Sequence, residues 1–144
     1  MSSNEFDWQR FQKHNQYTDE ELEIFKNDPR RAEAAKKIFS REAAERYLVV
    51  EVVSSRGCTA GMKPGHRLVF KGLGILDTAR SDAWCAHALG EIPGFASMIQ
   101  DRFVAGLDPN GIIYNRFSCI DVGVECGGWG QVIMKVYVAD ETEL

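Results

Sequence analysis

Cys58, Cys85, Cys119 and Cys126, with His66 or His87, are side chains of this sequence whose types suit soft-metal or nucleophilic chemistry. Thiolate and imidazole are ligands for zinc or iron, so Cys58, Cys85 and Cys119 form a candidate metal set with its fourth ligand unassigned. The short Cys-x-x-Cys pairs of zinc knuckles are absent: six residues separate Cys119 from Cys126, and Cys58 stands alone. If Asp82–His87 opens a helix, Cys85 and His87 point about 200° apart and do not clasp one ion together. In such a helix Cys85 gains thiolate character from the amide dipoles, and the Asp82 carboxylate three residues earlier opposes it.

Acid–base chemistry has its own candidates. On a continuous helix Glu91 would lie at i+4 from His87, where a carboxylate orients an imidazole and raises its pKa. The segment CIDVGVECGGW, residues 119 to 129, puts Asp121, Glu125, two thiols, paired glycines and Trp129 on one loop. Glycines let a backbone approach a ligand closely, and Trp129 or Trp84 could wall a pocket; a bulge or wide turn feeding the last strand is the alternative use of the same glycines. Catalytic candidates are therefore Asp82, Cys85, His87, Asp121 and Glu125, with Trp84 and Trp129 as ligand contacts. The Gly-x-x-x-Gly at Gly57 to Gly61 is too short for a phosphate loop, and neither Gly-x-Ser-x-Gly nor His-Glu-x-x-His occurs.

The elements that must position these residues are readable in outline. Thr18-Asp19-Glu20-Glu21 is a capping box that predicts a helix over 19–26. Asp28-Pro29 is an N-cap followed by proline at the first helical position, and Ala32, Ala35, Phe39 and Ala43 continue at helical spacing, predicting a second helix to about Arg46. YLVVEVVS (47–54) and QVIMKVYV (131–138) read as strands; if they pair, Glu51 and Lys135 become cross-strand neighbours. Lys63-Pro64-Gly65-His66 suits a type II turn into a strand over 67–71. Ser81 can cap a helix to about Gly90. Pro93 opens another, with Phe95, Met98, Ile99 and Phe103 as its buried stripe and Gly106 as its stop. Residues 108–111 read as a turn and 112–116 as a brief strand. The expected fold is α+β: a small antiparallel sheet covered by short helices (47–144), preceded by an N-terminal helical arm (1–46).

Composition bounds the partners. A 144-residue chain can bury a core without metal or disulfide staples, so a metal is optional for folding. A net charge of −4 provides no basic field for nucleic acid, and no apolar run approaches the ~20 residues of a membrane helix. The polar, acidic N-terminal stretch predicts a cytoplasmic address, where cysteines stay free or bind metal. Phe6, Trp8 and Phe11 lie in a segment too short to bury them alone, which predicts docking on the domain or on another subunit, as in a homo-oligomer or an accessory subunit.

From Tyr47 to Val138 the pattern has a strand, Gly57-Cys58 with Gly61 and Gly65, Asp82-Ala83-Trp84-Cys85-Ala86, a helix ending in Gly106, Cys119-x-Asp121 and a last strand. It resembles a family of small, functionally uncharacterised prokaryotic proteins with a three-Cys pattern. The resemblance implies that Cys58, Cys85 and Cys119 form a recurrent set, and it brings no assigned reaction. Thr59 and Ile120 stand where that family often has proline. The expected function is a small-molecule-binding protein of bacterial metabolism, an enzyme or the small subunit of one, with its site where the Asp82–His87 segment meets the Cys119–Trp129 loop. The alternative is a non-catalytic module for zinc or iron binding, or for protein interaction.

Overall fold

The computed structural model describes residues 5–144 and divides the chain into two compact units, one ending at Ser40 and one running from Arg41 to Leu144. The short helix α4 (Arg41–Ala44) thus groups with the sheet.

The first unit holds α1 (Trp8–Asn15), α2 (Asp19–Lys26) and α3 (Pro29–Ile38). Thr18 and Glu21 form the predicted capping box, and Asp28 caps α3 through the amides of Arg30 and Arg31. Phe39 ends that helix, so the single helix expected to Arg46 is broken before α4. Phe6, Trp8 and Phe11 find partners inside this unit. Phe11 is buried, with the rings of Phe25 at 4.9 Å and Phe39 at 5.1 Å from its own, and Phe6 and Trp8 pack edge-on against each other at 4.8 Å. Three short helices supply the cover that the N-terminal stretch lacks by itself, so of the two expected docking places, the domain or another subunit, these aromatics find partners within their own chain.

The second unit is built on an antiparallel sheet of five strands in the order β3-β2-β1-β5-β4: β1 (Arg46–Arg56), β2 (Arg67–Lys71), β3 (Ile75–Leu76), β4 (Arg116–Ser118) and β5 (Gln131–Asp140). The fold is therefore α+β, with a small antiparallel sheet and helices. The central strands pair as their alternation predicts, with Leu48 opposite Val138, Val50 opposite Val136 and Val52 opposite Met134. These side chains are almost wholly buried, and each is worth about 1.5–3 kcal/mol of removal from water. Helix α5 (Ile92–Val104) contributes buried Ile92, Ile99 and Phe103 to the core, and the Phe95 ring stacks on Phe117 of β4 at 5.0 Å. Met98, expected in the buried stripe, is exposed. Gly106 ends the helix with φ +74°, as its type allows.

The opposite face is partly covered as well. Tyr47, Val49, Val69 and Ala139 make a second small core with Tyr137 and Leu144 against it, which is why β1 is buried on both sides near its start. Further along that face Glu51 lies opposite Lys135, with their charged atoms 3.6 Å apart. Tyr137 donates its hydroxyl to Glu51 at 3.0 Å, and burial together with this carboxylate pushes the phenol up to about 12.

Two edges differ from the sequence expectation. Residues 112–115 are not a strand: β4 begins only at Arg116 and covers three residues of β5's edge. Beyond it, Asn110 takes the place of a strand, its side chain donating to the Val138 carbonyl (2.9 Å) and accepting from the Val138 amide (2.7 Å). The helix expected over 81–90 is reduced to one 3-10 turn, Ala86–Ala88. Ser81, read as its cap, and Asp82, read as lying at its start, are used by β2 instead: Ser81 Oγ accepts from the Val69 amide, and Asp82 pairs with Arg67 through both its carboxylate and its own N–H.

Candidate functional site

At the end of β1 a bulge between Val52 and Ser54 shifts the alternation, so that Ser55 falls opposite Val132 of the core face. Ser55 donates its hydroxyl to the Met62 carbonyl at 2.6 Å, drawing the following loop beneath the sheet. Gly57 (φ +66°) then passes so close to Trp129 and Gly130 that a Cβ on Gly130 would strike the Gly57 carbonyl and one on Gly57 the Trp129 carbonyl. This crossing brings Cys58 to one cavity wall with Gly130 and Gln131, at the start of β5.

The chain returns from two other directions. The Cys85 amide donates to the buried Met62 sulfur at 3.4 Å, and the Ile120 amide donates to the His87 carbonyl at 3.1 Å. The segments 85–88 and 119–121 are thereby tied to each other and to the loop after β1. Between them lies a cavity of about 60 Å³ lined by Cys58, Cys85, His87, Cys119 and Asp121, with Met62 and Val132 among its apolar walls. Cys85 precedes the 3-10 turn in extended conformation, so the helical geometry that would set it about 200° from His87 does not arise, and both residues line the same space. For the same reason Cys85 has no helix behind it to favour a thiolate. Glu91 is no i+4 neighbour of His87 on a continuous helix but the residue capping α5.

The thiols differ in their surroundings. Cys119 accepts the Val132 amide at 3.3 Å and lies 3.9 Å from the Asp121 carbonyl, so its sulfur is engaged by main chain on both counts. Cys126 is exposed and does not line the cavity. All four cysteines are free. Among the described residues, no three His, Cys, Asp or Glu side chains are placed to hold one metal ion. Sharing a cavity wall does not bring Cys58, Cys85 and Cys119 into coordination geometry.

Asp121 lines the cavity, but its oxygens are committed. Oδ1 accepts from the amides of Trp129 (2.9 Å) and Gly123 (3.1 Å), and Oδ2 from Gly130 (2.9 Å). The Trp129 amide foremost, with those of Gly123, Gly130 and Val122, holds the Asp121 carboxyl below the usual carboxylate range. This is the geometry of a residue that shapes a loop, and a carboxylate so held is a poor proton acceptor. The remaining candidates lie outside the cavity. Asp82 is spent on β2, Trp84 donates its indole N–H to the Ala88 carbonyl at 3.2 Å, and Glu125 and Trp129 are exposed on the loop.

The sequence reading missed Met62, Gln131 and the glycine crossing. Met62 carried a signal, as a large apolar residue inside the turn-rich stretch TAGMKPGH, but the approach of Gly57 to Gly130 joins residues too far apart in sequence to be seen locally. Compared with protein-family models, curated proteins and solved structures, the chain matches none of them.

Proposed function

We propose that this is a small-molecule-binding protein of bacterial cytoplasmic metabolism, an enzyme or the small subunit of one, whose site is the cavity lined by Cys58, Cys85, His87 and Cys119. The observation that carries the reading is that residues 27 and 34 positions apart, together with an exposed imidazole-bearing residue, line one space of about 60 Å³ on three separate segments. Cys58 and Cys85, whose sulfurs make no hydrogen bond within the described residues, are the contacts for a ligand group, and His87 is the proton donor or acceptor at the mouth. Asp121 serves as a positioning residue.

Iodoacetamide tests whether the cavity admits a small molecule. Alkylation of Cys58 or Cys85, located by peptide mass spectrometry, is expected in the folded protein at a rate unchanged by low urea, because no unfolding is needed. A rate that climbs with urea in step with global unfolding would show the cavity to be closed.

A second reading is zinc or iron bound by Cys58, Cys85 and Cys119, which line one cavity but are not placed to hold one ion. It requires these residues to draw together on the ion. About one equivalent of metal in protein purified without chelator, lost in Cys85→Ser, would support it; metal-free, stable protein would count against it.

A further inference from the structure

The turn Asp108-Pro109-Asn110-Gly111 carries the single Asn-Gly pair of the sequence. Asparagine is chemically labile, and most so before glycine. The backbone nitrogen that follows it can lose its proton and attack the side-chain Cγ, an approach that glycine, with no Cβ, hinders least. Ammonia leaves with the side-chain nitrogen as a five-membered succinimide closes. Water then opens the ring at either carbonyl to give aspartate or isoaspartate, so water and ammonia are the only other species in the balance.

Both reacting groups are engaged in the fold. The Gly111 amide donates to the Asp108 carbonyl at 3.0 Å, an oxygen that also accepts from Arg102 Nε at 2.7 Å. The Asn110 side chain bridges both main-chain groups of buried Val138, Nδ2 donating to the carbonyl at 2.9 Å and Oδ1 accepting from the amide at 2.7 Å. Cγ cannot swing toward the Gly111 nitrogen until these bonds part. The bridge also matters to the sheet. β4 pairs with β5 only from Ile133 to Lys135, and the Val136 amide is taken by the Asn115 carbonyl at 2.8 Å, so the edge at Val138 is closed by Asn110. Aspartate cannot close it in the same way. A carboxylate accepts and does not donate, so one of its oxygens would face the Val138 carbonyl with no proton between them. The Asp108 carboxylate, which accepts the Asn110 amide at 2.9 Å, would stand beside the new charge.

We propose that Asn110 is a deamidation site latched by the fold. While Asn110 holds Val138 the reaction is suppressed, and once an opening lets it occur the edge of β5 does not close again. The pair is a one-way timer of edge opening, independent of the cavity.

The full chain, kept at mildly alkaline pH with and without urea above its unfolding midpoint, tests this. Mass spectrometry of the peptide carrying residues 110 and 111 reads the exchange of amide for acid, and enzymatic methylation of isoaspartate counts the isomer. Conversion is expected to be at least about tenfold slower in the folded chain, as for a reaction that waits on opening. Deamidated chains, whether aged in the fold or converted in urea and refolded, should exchange the Val138 amide with deuterium at least about tenfold faster than unaged protein. Asn110→Asp should reproduce that change. Equal conversion in folded and unfolded chains, or none in either, overturns the proposal. So does a deamidated chain whose Val138 amide stays as protected as before, a measurement that does not depend on the variant folding.

Discussion

The Asp121 carboxylate accepts the backbone N–H of Trp129 across 2.9 Å, eight residues further along the chain, and with the amides of Gly123 and Gly130 it closes the loop that forms one wall of the cavity. The carboxyl is held low by bonds that favour its charged form, so its contribution to stability is present above the ordinary carboxylate pKa and is lost as pH falls through the lowered folded value. Asp121→Asn should therefore lower the urea midpoint at neutral pH and flatten the loss of stability below about pH 4. It should also speed proteolysis within 120–129. Unchanged cleavage there would remove Asp121 from its role as the loop's anchor.

The glycine crossing makes a contrasting pair of expectations. Gly130→Ala drives a Cβ into the Gly57 carbonyl, with backbone on both sides and no flexible side chain to yield, and should cost about 1–3 kcal/mol in urea unfolding. Gly94→Ala, in α5 with open space around the new methyl, should stabilise by roughly 0.5–1 kcal/mol. Equal effects would mean that the close approach of β1 to β5 carries no constraint.

Much of the framework is legible in short stretches because the signals are local. The capping box at Thr18, the Asp28-Pro29 start, the type II turn at Lys63 and the alternation of β1 and β5 each depend on neighbours within a few residues. The helix expected over 81–90 fails for the opposite reason. Ser81 and Asp82 are sound capping residues, but their side chains satisfy β2, more than ten residues back, and a cap taken by another strand starts no helix. The cavity lies between these cases. Cysteine and histidine single out its lining by type, whereas the bulge in β1 and the crossing of Gly57 with Gly130 that gather the lining leave no periodic trace.

Tyr137 predicts a limit at high pH. The folded protein keeps the phenol proton until about pH 12, whereas the unfolded chain loses it near the ordinary value of 10.0, so stability should fall as pH rises between these values. Tyr137→Phe should be less sensitive to alkali over that window, measured as the shift in urea midpoint. Glu51→Gln removes the carboxylate that, after burial, helps to raise the phenol, and should draw in the upper end of this window so that less stability is lost across it.

In the helical unit, Phe11→Ala empties the centre of the ring cluster and should destabilise that unit by about 3–5 kcal/mol. Loss of the near-ultraviolet dichroism of the surrounding aromatics is the readout. A retained signal would show that the cluster does not depend on its buried ring.

The shared cavity is tested most directly by counting adducts. A carbamidomethyl group occupies about the space of two waters, which is all that about 60 Å³ offers. Native protein treated with excess iodoacetamide should carry one adduct distributed over Cys58, Cys85 and Cys119, beside that on exposed Cys126, and should take up the others only on unfolding. Native molecules labelled at two or all of the three, each at a rate indifferent to the others, would contradict a common cavity.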